Sequence, residues 1–76
     1  MELNEFVKNF EDQFDDIETG TIKPETEFRS VEGWGSLRAM LVIAMVDADY
    51  GVTLSGNDIK NSKTVLELYE LVKSKQ

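Results

Sequence analysis

The feature that most constrains this chain is a run that starts at Ser36 and turns almost wholly apolar. Ten of the twelve residues from Leu37 to Ala48 are apolar, broken only by Arg38 and Asp47. So long a run does not alternate in the manner of a half-buried strand, and its length suits a helix. The stretch before it, Glu32-Gly33-Trp34-Gly35, sets a tryptophan between two glycines and reads as a loop that stops abruptly at that helix. Ser36 falls at the junction, where an N-cap belongs, because its hydroxyl can accept from an orphan N–H of the first turn. An anionic group attached there would be favoured by the helix dipole.

The helix carries two apolar stripes. Ala39, Val42, Ile43, Val46 and Tyr50 form one; Leu37, Met40, Leu41, Ala44 and Ala48 form the other. A helix that is apolar all round is normally buried. At 76 residues the chain has room for one small core, so a single domain over 1–76 is expected. Such a domain buries one face of this helix well, and the second stripe must be covered by the first helix and loop or left for a partner.

Upstream, Leu3, Phe6, Val7, Phe10, Phe14 and Ile17 keep one helical stripe, so a first helix is expected to run until Gly20 ends it. Glu2, Glu5, Glu11, Asp12, Asp15, Asp16 and Glu18 face only Lys8, which puts most of the net charge of −7 in this segment. These carboxylates read as a solvated face with no pocket around them. A long loop then spans Thr19 to Gly35, with Phe28, Val31 and Trp34 as anchors onto the bundle. Trp34 is also placed to meet a partner or cargo beside Ser36. Downstream, Gly51 closes the second helix, and Val52 and Leu54 point inward on an extended segment. Ser55-Gly56-Asn57 is turn material, and a short helical turn is expected over Asp58 to Asn61 around Ile59. Thr64-Val65-Leu66-Glu67 is a capping box that opens a last helix with Val65, Leu68, Leu71 and Val72 inside. The fold class is therefore all-α: a small antiparallel bundle of three main helices and one short one, with a long first loop.

The chemistry narrows by what is missing. No cysteine or histidine occurs, so there is no thiolate, no disulfide and no imidazole base to activate Ser36. Asp47-Ala48-Asp49 begins like a calcium loop, but Val52 stands where its glycine belongs and Asp58 where its glutamate belongs. Neither a metal site nor independent catalysis is expected. The acidic balance argues against nucleic acid and anionic membrane as partners. The apolar run is too short to span a bilayer and no secretory signal is visible, so the chain reads as soluble and cytoplasmic, and a monomer is expected.

The Gly35-Ser36-Leu37 triplet, the long helix after it and the Tyr50-Gly51-Val52 exit resemble the Asp-Ser-Leu region of acyl carrier proteins. The resemblance covers nearly the whole chain, with Gly35 standing where that family usually has aspartate. It implies a covalent 4′-phosphopantetheine arm on Ser36 that holds an acyl chain as a thioester, sheltered or not between the helices. It also implies a phosphopantetheinyl transferase and acyl-loading and acyl-processing enzymes as partners, in fatty acid, lipid or related secondary biosynthesis. Docking would fall to the second helix and the loop before it: Trp34, Leu37, Arg38, Met40, Leu41, Ala44 and Asp47. Arg38 and Leu41 stand where that family commonly has acids, so a less acidic and more apolar docking surface is expected, and with it a specialised carrier. The reading from another class is an armless helical interaction module that binds through the second stripe, with Ser36 only a cap.

Overall fold

In the computed structural model, which describes residues 2–76, helix α1 spans Leu3–Glu11, α2 Ser36–Tyr50, α3 Gly56–Asn61 and α4 Val65–Lys75. A 3₁₀ turn at Phe28–Ser30 punctuates the long first loop, and no strand occurs among the described residues. The chain is thus the all-α bundle its periodicity predicts. Phe6 on α1 joins the three main helices, its ring centroid 5.6 Å from those of Tyr50 on α2 and Tyr69 on α4. Burial pushes the Tyr50 hydroxyl above its ordinary pKa, and Asn9 donates to its oxygen at 2.9 Å.

Helix α1 is shorter than its apolar stripe. It ends at Glu11, and the chain leaves through tight turns in which Gln13 donates to the Phe10 carbonyl and Phe14 to that of Glu11. The acids beyond, Asp12, Asp15, Asp16 and Glu18, would have opposed the dipole at the end of a longer helix. Phe14 remains buried, and Ile17 packs on the core, from irregular backbone. Gly20 therefore does not cap α1, although its φ of +91° still requires the left-handed region that glycine tolerates.

One carboxylate expected in solvent is buried. Glu11 accepts from Gly20 N–H at 3.0 and 2.9 Å and from Ile22 N–H at 2.9 Å, which folds the 12–22 segment back on α1. Further on, the carbonyls of Thr26 and Pro24 accept from Val65 and Leu66, so the loop also satisfies orphan donors at the start of α4. Phe28 is fully buried, while Val31 and Trp34 pack partly buried against the core.

Helix α3 begins two residues earlier than its turn-like sequence suggests. Ser55 and Asp58 form a reciprocal capping box there, and the Ser55 N–H holds the Asp58 carboxyl below its usual range. At α4, Thr64 Oγ1 accepts from Glu67 N–H at 3.1 Å, as expected, but the Glu67 carboxylate reaches Lys63 N–H rather than that of Thr64. Thr64→Ala should cost about 1 kcal/mol, read from chemical denaturation. A negligible loss would mean that the Pro24 and Thr26 carbonyls hold that helix start unaided.

Candidate functional site

The candidate site is the seam between the long loop and α2. Gly35 is extended, with φ −176° and ψ −172°, and its carbonyl accepts from Ala39 N–H at 3.0 Å. Gly35 is therefore the N-cap, and Ser36 is the first helical residue rather than the cap itself. The reason is geometric: the first i to i+4 bond of the helix already closes on Gly35. A glycine cap has no side chain to offer, so the first-turn N–H groups of α2 receive no side-chain cap. The Ser36 side chain is exposed, and its hydroxyl bonds to no other described residue.

An exposed hydroxyl at the positive end of a fifteen-residue helix suits a phosphodiester. Two residues beyond Ser36, Arg38 faces Asp15 and Asp16 in the turn after α1. Arg38 donates to Asp15 Oδ1 at 3.0 Å, lies 3.9 Å from Asp16 Oδ1, and donates to the Gln13 carbonyl at 3.2 Å. Its guanidinium carbon also sits 5.6 Å from the Phe14 ring centroid. This one side chain ties the turn after α1 to the start of α2.

Trp34 holds the other side of the seam. Its ring stacks on Phe10 at 6.2 Å with 7° between planes, and meets Phe28 edge-on at 5.2 Å. The residue two before Ser36 is thus fixed to the core of α1 and the loop. Along α2, Val42, Met45 and Val46 are buried, with Ala39, Ile43 and Tyr50 packed partly buried beside them. Met45, which lies outside the expected inner stripe, is more buried than Ile43. The second stripe stays out: Leu37 and Met40 are each 66% exposed, Ala44 and Ala48 are exposed, and Leu41 is half-buried. Asp47 is exposed beyond them.

Of the candidate docking residues, Leu37, Met40, Leu41, Ala44 and Asp47 thus share an accessible flank of α2. Trp34 and Arg38 instead have their main contacts inside the seam. Sequence reasoning gave no role to Glu11 or to the ionic reach of Arg38. Arg38 stands out in the sequence as the lone cation of α2 and is among the docking residues expected above, but its turn toward Asp15 is not legible there, and nothing local marks Glu11 as different from the acids around it.

The cap vacancy yields a prediction. A Cβ at Gly35 would meet nothing within 4 Å, and the extended backbone there accepts any residue. Gly35→Asp should place a carboxylate against the uncapped N–H groups and stabilise the chain by about 0.5 kcal/mol. Thermal melting checks this, and a lower melting temperature would contradict it.

Residues 5–72 match the model of a family described as "Phosphopantetheine attachment site". Members of this family carry 4′-phosphopantetheine covalently. Neither the curated proteins nor the solved structures yield a match.

Proposed function

The chain belongs to the phosphopantetheine-attachment family of acyl carrier proteins, and from that premise we propose that Ser36 carries the arm. The arm supplies a terminal thiol that holds an acyl group as a thioester. The protein's own residues place it: Gly35 begins the helix, the α2 dipole favours the phosphodiester, and the Trp34 and Arg38 contacts keep the seam rigid. The observation that carries the reading is the idle hydroxyl. Ser36 is exposed, one position inside the helix, and so is not employed as a cap.

In this reading the chain is a single carrier domain that catalyses nothing itself. It delivers its acyl intermediate to enzymes of fatty acid, lipid or related secondary biosynthesis in the cytoplasm. No helix among the described residues is long and apolar enough to cross a membrane. Docking runs through the exposed flank of α2, with Leu37, Met40, Leu41, Ala44 and Asp47 accessible and Trp34 and Arg38 holding the adjoining loop.

Incubation with coenzyme A and a broad-specificity phosphopantetheinyl transferase tests this by intact mass. The wild-type chain should gain one phosphopantetheine, and Gly35→Asp should gain it faster. Ser36→Ala should gain none while keeping its helical circular dichroism. A folded wild-type chain that no transferase loads would instead favour the armless interaction module.

A further inference from the structure

We propose that the enzymes this carrier serves meet it through an apolar face without a basic ridge, so that docking persists as salt is raised. The inference rests on the carrier reading above and concerns the chemistry of the partner. Between Glu32 and Asp47 the chain contains a single charged residue, Arg38. That cation does not project from the flank: its side chain is only 18% exposed, with the guanidinium turned back onto Asp15, Asp16, the Gln13 carbonyl and the Phe14 ring. The charge is spent inside the seam. What the first turns of α2 offer to a partner is Leu37 and Met40, two-thirds exposed, with Ala44 and the edge of Leu41 in line.

Charge complementarity then works by omission. A partner bearing arginines or lysines over this flank would desolvate them against apolar side chains, because along α2 itself the first carboxylate is Asp47, and Asp15 and Asp16 at the helix start face Arg38 instead. A partner with an apolar centre instead gains roughly 25 cal/mol for each Å² of apolar surface covered.

Size decides between an enzyme and a second copy of the chain. A stripe of four or five such side chains amounts to a few hundred Å², whereas a standard stable interface takes about 800 Å² from each partner. The whole chain exposes 4660 Å². The stripe is therefore matched to a brief encounter with a larger surface, as a carrier that must leave requires, and not to a lasting pair of copies.

Loading by a broad-specificity transferase, with coenzyme A, serves as the probe. Its KM for the chain should change less than about twofold between about 50 and about 500 mM sodium chloride, a range over which exposed ion pairs are screened. Met40→Glu and Ala44→Glu, both at exposed positions, should each raise KM about tenfold, with circular dichroism unchanged. A KM that climbs more than about twofold with salt, or one indifferent to both substitutions, overturns the proposal for a chain that still loads. Sedimentation that finds a dimer at assay concentration, lost in Met40→Glu, overturns it in favour of self-association. A wild-type chain that never takes the arm removes the carrier reading and this proposal together.

Discussion

Phe10→Ala should destabilise the chain by about 4 kcal/mol, the largest loss expected from any one side chain here. Phe10 is fully buried, and its ring contacts Phe14 at 6.0 Å, Phe28 at 5.4 Å and Trp34 at 6.2 Å. Truncation removes the transfer free energy of the ring and leaves a cavity that three other rings must collapse to fill. A domain of this length holds only roughly 4 to 11 kcal/mol in all, so much of the population would unfold. Trp34 is the only tryptophan, and its emission should shift to the red as its stacking partner goes. Phe10→Leu keeps most of the volume and should cost less than half as much. A loss for Phe10→Ala below about 1.5 kcal/mol would show that the aromatic cluster is looser than its packing implies.

Glu11→Ala comes next, at about 3 kcal/mol. Its carboxylate receives two backbone N–H groups, and one of them belongs to Ile22, which is buried and has no water to turn to. Hydrogen bonds to a charged acceptor contribute more than neutral ones, and the stranded N–H adds its own desolvation cost. The loop it secures leads to Ser36, so arm loading should slow as well. Glu11→Gln retains one acceptor oxygen and should recover part of both effects. Glu18→Ala, at an exposed position, should stay within about 0.5 kcal/mol of the wild type. Chemical denaturation of the three variants decides the matter. Equal, small losses for Glu11→Ala and Glu18→Ala would mean that Phe14, Ile22 and Phe28 hold the loop without it.

These two residues mark where the sequence was and was not legible. Phe10 stands on a helical stripe whose spacing announces burial, and the same holds for Val42, Val46, Leu68 and Val72. Period and caps together located three of the four helix starts within a residue or so. Helix α1 ended early because its stripe, continued by Phe14 and Ile17, was carried on turns instead of a helix. Periodicity cannot separate these when the side chains reach the same core. Glu11 was hidden for a different reason: its partners, Gly20 and Ile22, are backbone groups brought near by the loop, and no residue type signals them. Arg38 was visible as an exception on an apolar helix, but its direction depends on the turn at Asp15 and Asp16. At the candidate site the motif points to Ser36, and the structure moves the cap one residue back, to Gly35. That shift matters, since it frees the hydroxyl from a structural duty.

The proposed carrier function rests on that hydroxyl, and locating the arm tests it most directly. After loading, the chain would be cut into peptides and fragmented by tandem mass spectrometry. The phosphopantetheine should sit on Ser36, in a peptide that also contains Leu37, and on no other residue. An arm found on another hydroxyl, such as Ser30, Ser55 or Ser62, or a Ser36 peptide that stays unmodified in a folded chain, would contradict it.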